Sequence, residues 1–502
     1  MASSRRPARP LEGEDGLVVA LESELPDSIA VGAGNAIFVY GTCFHPTRTI
    51  TELELLLDDR AITPMANGMP RRDLFEAGHP YRSAFWGIVP VEPTPRSRVA
   101  ELRVAATLDD GRELHGDLAA LSLEPSGTEA PAKAPDGAAA EPLVAICMAT
   151  YEPPLDLFRR QIASIREQTH SNWMCVISDD HSDKARFAAL EAEVDGDPRF
   201  SLSRSPRRLG FYRNFERALS IAPAEARYIA LADQDDRWDP DKLAVLASGL
   251  GDAQLAYSDA RVVGATGEGI SDTFWSRRRT NHTSLASLLV SNTITGAASL
   301  FRRELLDRIL PFPPGLGTQW HDHWIALVAL ATGTVNYVDR PLYDYVQHGD
   351  AVVGHAVANE PRRHSLARRV GMLRDDWRAA LGGWCWKYFY GVCRVLLLAR
   401  VLELRCGGTL RGRKRRALRW FLAIDRSPLA YAWLSVRRVR RVAGLNETLG
   451  NERLFLQGIV WRRAIALLTW GRQRPSPRLL KDAGLPQPGG ADLRAGDAEP
   501  VG

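Results

Sequence analysis

The sequence is poor in cysteine and lacks an evident membrane-spanning segment. Its six cysteines are scattered along 502 residues, without C-x-x-C pairs or the spacing of a zinc site. Reduced cytosolic thiols are therefore predicted, rather than a disulfide framework. The nearest candidate for a transmembrane helix, WCWKYFYGVCRVLLLARVL, is interrupted by Lys387, Arg394 and Arg400, so none is predicted. The opening MASSRRPARPLEGEDG is basic but has no apolar core, so we expect no secretory signal in it.

Positive charge is concentrated late in the chain, although the net charge is only +4. Residues 361–480 carry 27 Lys and Arg against six Asp and Glu, a net charge of +21. The remaining residues must therefore carry −17. We expect this basic region either to face an anionic partner or to pack against the acidic part of the same chain.

The first part of the chain shows strand patterns and no helical period. Short β-type runs such as GLVVALES, AIFVYGTCF and AELRVAATLDDGREL alternate with turn signals between residues 16 and 124. Strands at this spacing, with DDG as a hairpin signal, predict a β-sandwich. Its aromatic residues recur at strand spacing, which is more typical of a core than of a sugar-binding platform; they are Phe38, Tyr40, Phe44 and Trp86.

After an Ala/Pro/Gly-rich linker the pattern changes to alternating strands and helices. The apolar runs LVAICMAT, WMCVIS, RFSLSRS and RYIALA are separated by helical patterns, including Phe158, Ile162 and Ile165 at i, i+4 and i+7. This alternation predicts a parallel sheet with crossover helices. Ligands bind beyond the carboxyl ends of the strands in such sheets, and both Asp179-Asp180 and Asp233 to Asp236 fall at such ends.

These patterns divide the chain into six segments. We predict a disordered N-terminus over 1–15, a β-sandwich accessory domain over 16–124 and a linker over 125–141. An α/β domain is predicted over 142–358, a basic helical region over 359–474 and a disordered tail over 475–502.

The stretch YIALADQDDRWDPDKL crowds acidic residues directly after an apolar strand. Two carboxylates about 4 Å apart repel by about 4 kcal/mol at an effective dielectric near 20. We interpret Asp239 and Asp241 as a solvated turn and helix cap, with Pro240 in the first turn. For Asp233 and Asp235 a divalent cation is the better explanation, because Mg²⁺ and Mn²⁺ prefer oxygen ligands and bind through one or two carboxylates plus substrate phosphates.

Several motifs in this half of the chain resemble those of bacterial family 2 glycosyltransferases. They are VAICMATYEPPLDLFRRQIASIREQTHSNWMCVISDDHSD, LGFYRNFERAL, YIALADQDDRW, AYSDARVV and NTITGAASLFRRELL, in the order of the rhamnosyltransferase-like branch. The resemblance covers about residues 143–355. It implies a GT-A fold, which is Rossmann-like with a mostly parallel sheet, here with the N-terminal β-sandwich and a C-terminal helical region.

The resemblance also implies a donor site. Thr150, Tyr151 and Glu152 would form the first strand-end loop, and Asp180 would contact the nucleobase or ribose, whereas Asp179 is as readily a structural acid. Asp233 would face the ribose and Asp235 the metal, Mg²⁺ or Mn²⁺, and the diphosphate of a nucleoside-diphosphate sugar. Asp236 would order the loop.

On the acceptor side, the resemblance places the catalytic base at Asp322 in TQWHDHWIALVALATG. The alternative for Asp322 is an acid at a helix N-terminus, favoured by the helix dipole. Gly296 and Ala297 would line the acceptor side with backbone. His348, in a Q-H-G element, would approach the metal or diphosphate, or would tie down its loop. The sequence departs from the family pattern at Ala351, where Asn is usual. Arg213 would touch phosphate or lie at the surface.

The predicted function is inverting transfer of a sugar, with rhamnose favoured by the resemblance alone, to a hydroxyl of a cell-surface or lipid-linked glycan. The alternative is a non-catalytic glycan-binding or scaffold protein that retains the fold. We expect a cytoplasmic protein and no nucleic-acid partner. The basic helices either pack on the catalytic domain or make peripheral contact with an anionic membrane at the inner face of the cell membrane.

Overall fold

The computed structural model describes residues 11–12, 14–125, 141–275, 279–347, 383–441, 443–471 and 473–474. The N-terminal part contains one short helix, α1 (Arg72–Glu76), and ten strands. The strands are β1 (Leu11–Glu12), β2 (Val18–Leu21), β3 (Ser28–Ala30), β4 (Asn35–Phe44), β5 (Ile50–Leu57), β6 (Arg60–Ile62), β7 (Ala66–Pro70), β8 (Arg82–Val91), β9 (Arg98–Leu108) and β10 (Glu113–Glu124). They form two five-stranded sheets, in the orders β1-β2-β4-β8-β7 and β3-β10-β9-β5-β6.

Strand β4 is buried on both faces, and this double burial joins the sandwich to the rest of the molecule. Ile37 and Val39 point into the core between the two sheets, whereas Ala36 and Tyr40 belong to the core shared with the rest of the chain. Alternate residues of a strand point to opposite faces, so the apolar residues of β4 serve both cores. Trp86 on β8 is fully buried, and its indole N–H donates to the Tyr388 hydroxyl at 3.2 Å.

The central part alternates strands and helices as predicted from the sequence. Its strands are β11 (Val144–Thr150), β12 (Trp173–Asp179), β13 (Phe200–Arg204), β14 (Tyr228–Ala232), β15 (Arg237–Trp238), β16 (Leu255–Gly264), β17 (Gly269–Ser271), β18 (Ser299–Arg302) and β19 (Val335–Gln347). Its helices are α2 (Leu155–Arg166), α3 (Lys184–Val194), α4 (Phe211–Ser220), α5 (Lys242–Leu250), α6 (Leu285–Val290), α7 (Leu306–Ile309) and α8 (His321–Thr332).

The central strands form one sheet in the order β13-β12-β11-β14-β18-β16-β19-β15, with β17 beside β16. The first four strands are mutually parallel, and β18 runs antiparallel to both of its neighbours. Helix α2 covers the sheet with Phe158, Ile162 and Ile165, all nearly or fully buried. The predicted fold class, an α/β domain with a mostly parallel sheet between a β-sandwich and a helical region, is confirmed.

The C-terminal part is helical. It contains a π-helical turn (Lys387–Cys393), then α9 (Arg394–Cys406), α10 (Gly412–Leu422), α11 (Pro428–Arg437), a 3₁₀ turn (Arg438–Arg441) and α12 (Glu452–Leu468). The apolar stretch that comes nearest to a membrane span packs inside the protein, with Tyr388 and Leu397 fully buried. No helix in the described part of the chain combines the length and apolar character needed to cross a bilayer. All six cysteines are buried, and none of them forms a disulfide bond.

A single arginine side chain joins the three parts of the molecule. Arg405, on α9, is 4% exposed. Its guanidinium donates to the carbonyl of Gly34 in the sandwich at 2.6 Å, and to the carbonyls of Arg308 and Ile309 in the α/β part at 3.0 Å each. Because these carbonyls come from segments far apart in sequence, Arg405 holds the relative positions of all three parts.

Candidate active site

The candidate site lies where three neighbouring parallel strands end. Strand β11 ends at Thr150, β12 at Asp179 and β14 at Ala232, and the register pairs Thr150 with Asp179. The polar residues that follow each strand therefore meet at one edge of the sheet. The apolar character of β14, with every residue buried, stops at Asp233 because the chain leaves the core there.

The loop after β11 is held by side chains from the other two strand ends. The backbone N–H of Tyr151 donates to Gln234 Oε1 at 2.8 Å, and that of Glu152 donates to the Ser182 hydroxyl at 2.9 Å. Glu152 has a positive φ of 43° and accepts from the backbone N–H of Asp183 at 2.6 Å. Tyr151 is 37% exposed, with the Arg208 guanidinium 4.1 Å from its ring centroid. These contacts fix the conformation of the loop after β11 and the position of the Tyr151 ring, which remains accessible to solvent.

The two adjacent acids after β12 have different partners. Asp179 is fully buried and accepts from the backbone N–H and the hydroxyl of Ser182, at 2.9 and 2.6 Å. Asp180 is 2% exposed and accepts from the backbone N–H groups of Leu209 and Gly210, at 2.5 and 2.8 Å. Both carboxylates thus organise loops at the strand ends. The nucleobase or ribose contact of Asp180 stays a prediction.

Asp233, Asp235 and Asp236 form an acidic cluster directly after β14. Burial, together with the charges of Asp235 and Asp322, raises the pKa of Asp233 to about 7. Burial also raises the pKa of Asp236 well above its ordinary value, with contributions from Asp233 and Asp235. Asp236 Oδ1 accepts from the backbone N–H of Val346 at 3.4 Å, while Oδ2 has no hydrogen-bond partner within the described residues. Ionisation of these carboxyl groups is unfavourable because they are partly desolvated and repel one another. A bound cation would stabilise their ionised forms.

Lys242 is part of this cluster, and sequence reasoning missed it. Its side chain is fully buried, its ammonium lies 3.6 Å from the ring centroid of Trp238, and it donates to the carbonyl of Ala297 at 2.6 Å. Burial lowers its pKa well below the ordinary value, while Asp236 and Asp233 oppose that shift. A lysine at the first position of a helix ordinarily faces solvent, so no local pattern indicates its burial.

Asp322 reaches the same cluster from a distant segment. It lies in the first turn of α8, and its charge contributes to the raised pKa of Asp233. Burial raises the pKa of Asp322 to about 7, whereas hydrogen bonds from the backbone of His323 and Gly296 and from the Asn292 side chain oppose that rise. The backbone N–H of His323 donates to Asp322 Oδ1 at 2.6 Å. This carboxylate is oriented, and its pKa lies near neutrality.

The neighbours of Asp322 shape its surroundings. Gly296 and Ala297 lie in a buried 3₁₀ turn, and a Cβ added at Gly296 would come within 2.6 Å of His321 Nε2 and 3.5 Å of the Asp322 Cβ. The His321 ring stacks on Phe215 with centroids 3.7 Å apart, and burial lowers its pKa to about 3. His323 Nε2 lies 2.8 Å from the carbonyl of Leu288, and its pKa is lowered to about 4 by burial. The two rings thus contact different elements.

The predicted helix cap at Asp239 is wrong, and the side chains of Asp241 and Arg213 form ion pairs. Asp239 does not cap α5, because its carboxylate pairs with Arg261, and the residue preceding the helix is Asp241, whose side chain makes no capping hydrogen bond. Asp241 pairs instead with Arg340 at 2.8 Å. Arg213 pairs with Glu216 and donates to the carbonyls of Phe312 and Pro313.

Two predicted positions are not covered by the structure, and the metal prediction stays open. His348 and Ala351 lie outside the described residues. Among the residues that are described, no group of three or more His, Cys, Asp or Glu side chains is arranged to hold a metal ion. The oxygen donors of the acidic cluster nevertheless fit Mg²⁺ or Mn²⁺, since such ions take one or two protein carboxylates together with substrate phosphates.

Part of this region matches a known family model. Residues 145–310 match the model described as Glycosyl transferase family 2. The chain is 30% identical over 122 residues to an uncharacterised protein, y4gI, of Sinorhizobium fredii, covering 24% of this chain and 13% of that protein. It is 32% identical over 104 residues to a putative colanic acid biosynthesis glycosyl transferase, WcaA, of Escherichia coli, covering 21% of this chain and 36% of that protein. The chain thus spans only a minor part of either relative.

Among solved structures, the chain is similar to residues 1–349 of TarS from S. aureus in complex with UDP-GlcNAc. The TM-score is 0.38 at 14% identity, and the match covers 65% of this chain and 90% of that chain. The sequence match covers β11 and β12, β14 with the acids that follow it, and the turn at Gly296. By sequence, residues 145–310 of this chain are therefore similar to glycosyl transferase family 2.

Proposed function

We propose that this protein is an inverting glycosyltransferase that moves a sugar from a nucleoside-diphosphate donor to a hydroxyl of a cell-surface or lipid-linked glycan. Rhamnose is the proposed sugar, on the resemblance of the motifs to the rhamnosyltransferase-like branch. The observation that carries the proposal is the electrostatic coupling of Asp233 to both Asp235 and Asp322. Acids from segments about 90 residues apart thus meet at one half-buried site. Asp233 and Asp235 lie within the region that matches the glycosyl transferase family 2 model, and Asp322 follows shortly after the end of that region.

The donor side is proposed to comprise the strand-end loops. Thr150, Tyr151 and Glu152 would contact the nucleoside, together with Asp180 and Asp233. Asp235 would hold Mg²⁺ or Mn²⁺, and His348 is proposed as a further ligand. When bound, the metal would neutralise the negative charge that develops on the leaving diphosphate. The raised pKa of Asp233 supports this assignment, because a cation in the cluster would stabilise its ionised form.

The acceptor side is proposed to comprise Asp322 and the turn at Gly296 and Ala297. Asp322 would take the proton from the acceptor hydroxyl as the hydroxyl oxygen attacks the anomeric carbon, and the bond to the diphosphate breaks on the opposite face. A base with a pKa near neutrality suits this task, since it is substantially ionised at neutral pH and still binds a proton well. The hydrogen bonds from His323 and Asn292 orient the carboxylate for the attack.

Calorimetric binding of UDP, dTDP and GDP, with and without Mn²⁺, tests the donor site. We expect one nucleotide to bind in a metal-dependent manner, and Asp235→Ala to abolish that dependence. Asp241→Asn is the matched control, because Asp241 lies in the same stretch but pairs with Arg340. Asp322→Asn should bind nucleotide normally and fail to transfer sugar.

The same experiment separates the enzyme from a scaffold that retains the fold. Folded wild-type protein that binds none of these nucleotides would contradict the proposal and support the scaffold. Normal transfer by both Asp235→Ala and Asp322→Asn would contradict the assigned roles.

A further inference from the structure

The surface of the C-terminal helices combines exposed apolar side chains with unopposed positive charge. On α11, Leu429 and Val436 are 71% and 69% exposed, and Val439 in the following 3₁₀ turn is 62% exposed. Ala432 lies between them and is also exposed. Positions i, i+3 and i+7 share one helix face, so α11 presents a continuous apolar stripe to solvent.

A second exposed apolar cluster lies at the end of α12. Leu467 is 74% exposed and Trp470 is 76% exposed. The Arg463 guanidinium lies 5.2 Å from the ring centroid of Tyr431, so this end of α12 lies beside the first turns of α11. Leu467 follows Arg463 by one helical turn on the same face. The end of α12 thus lies close to α11, and Trp470 also lies 5.7 Å from the Arg82 guanidinium of the β-sandwich. The exposed apolar residues of α11, of the following 3₁₀ turn and of the end of α12 are together named the C-terminal surface.

The segment that carries the C-terminal surface is strongly basic. Between residues 411 and 474 there are three acidic residues, and each is buried or half-buried. Asp425 pairs with Arg462, Glu447 with Arg440, and Glu452 accepts from Thr448. Many arginines of the same segment are exposed, including Arg413, Arg415, Arg416, Arg419, Arg426 and Arg438. Exposed Leu, Val and Trp among unpaired positive charge match an anionic, partly apolar partner.

We propose that the C-terminal surface binds the anionic face of a phospholipid bilayer. Arginine near such a face contributes attraction that salt weakens, and tryptophan and leucine insert at the boundary between headgroups and acyl chains. Isolated apolar side chains are common on protein surfaces, but a stripe beside a second apolar cluster is not. An anionic bilayer can attract the arginines through its headgroups and bury the exposed apolar side chains at the same time.

The C-terminal surface is joined to the acceptor side of the active site. Arg437 of α11 donates to the Ser287 hydroxyl at 2.7 Å, and Ser287 donates to Glu447 at 2.9 Å. Asn451 donates to the Ser291 hydroxyl at 3.3 Å. The next residue, Asn292, hydrogen-bonds to Asp322. These bonds connect the C-terminal surface to the segment that orients Asp322. A bilayer bound at this surface would favour a lipid-linked acceptor, and this second step rests on the proposed function.

Vesicle co-flotation of the full chain tests the surface directly. The probes are phosphatidylglycerol and phosphatidylcholine vesicles, at low and high salt. We expect flotation with the anionic vesicles only, weakened by salt. Substituting Leu429, Val436 and Val439 together by Ser should lower vesicle affinity at least about tenfold. Val99→Ser is the matched control, because Val99 is 65% exposed on the β-sandwich and should not affect binding.

A charge variant keeps the proposal testable if the apolar variant fails to fold. Substituting Arg415, Arg416 and Arg419 together by Gln should also lower affinity for anionic vesicles about tenfold or more. The matched control removes three exposed arginines from the β-sandwich and should bind normally; they are Arg96, Arg98 and Arg112.

Several outcomes would overturn the proposal. They are equal binding to neutral and anionic vesicles, no binding to either, and unchanged binding by both surface variants. Concentration-dependent dimerisation lost in the apolar variant would instead assign the surface to a second copy, and binding of RNA in preference to vesicles would assign it to nucleic acid. Nucleotide binding is measured on the same samples, so failure of the donor site is distinguished from failure of the surface.

Discussion

The pH dependence of transfer follows from the pKa of the proposed base. Asp322 accepts a proton only when it is ionised, and burial raises its pKa to about 7. Activity should therefore rise with pH and reach half of its plateau near pH 7. About one pH unit below the pKa, roughly a tenth of the molecules carry the ionised carboxylate, and about one unit above it roughly nine tenths do. The rate should thus change about tenfold across this interval.

Removing the Asp322 carboxylate should abolish the rise of activity with pH. Asp322→Asn keeps the size of the side chain but cannot accept the proton, so kcat should fall by about 10²- to 10⁴-fold. That loss corresponds to roughly 3–5 kcal/mol of transition-state stabilisation. Donor affinity should change little, because Asp322 acts on the acceptor.

A second variant moves the pKa without removing the base. The Asn292 side chain donates to Asp322 and lowers its pKa, so Asn292→Ala should raise the pKa further. The rise of transfer activity with pH should then occur at higher pH. The assay is initial-rate transfer at saturating donor and fixed metal concentration, from about pH 5.5 to 8.5. A profile that is flat in the wild type, or identical in wild type and Asn292→Ala, would refute Asp322 as the base.

Three further predictions concern the architecture that holds the site. Arg405→Ala should lower the free energy of unfolding by about 3 kcal/mol or more, measured by chemical denaturation, since three carbonyls lose their donor and two of these bonds are fully buried. A loss below about 1 kcal/mol would contradict the joining role. Gly296→Ala should reduce kcat and lower the free energy of unfolding by about 1–3 kcal/mol, because the new Cβ would come too close to the packed His321 ring. Normal kinetics of this variant would show that the ring can move. Asp180→Asn should destabilise the protein by about 1–3 kcal/mol, because an amide cannot accept from the backbone N–H groups of Leu209 and Gly210 with two oxygens as the carboxylate does. An unchanged melting temperature would argue against a role of Asp180 in organising this loop.

Local patterns were sufficient for the fold class and for the region of the site. Continuous apolar runs and intervening helical periods depend only on neighbouring residues, and they predicted the parallel strands of the central sheet. The carboxyl ends of parallel strands lie at one edge, so the sequence also placed Asp180 and Asp233 near each other. The family resemblance assigned individual roles, and those assignments stay predictions for the variants to test.

Contacts between distant segments were beyond sequence reasoning. Lys242 stands in a stretch rich in charge, and only the packing of Trp238 and Ala297 around it makes it a buried lysine. Asp239 is a good candidate for a helix cap by local rules, but Arg261 from another strand takes its carboxylate.

The sequence by itself thus determined which residue types follow each strand, and with them the edge of the sheet that carries the chemistry. The tertiary structure decided which acids share a low-dielectric space, because a pKa near 7 for Asp322 requires burial that no local pattern encodes. It also decided that the basic helices both pack on the core and present an apolar stripe to solvent, since exposure depends on which face of a helix the rest of the chain covers.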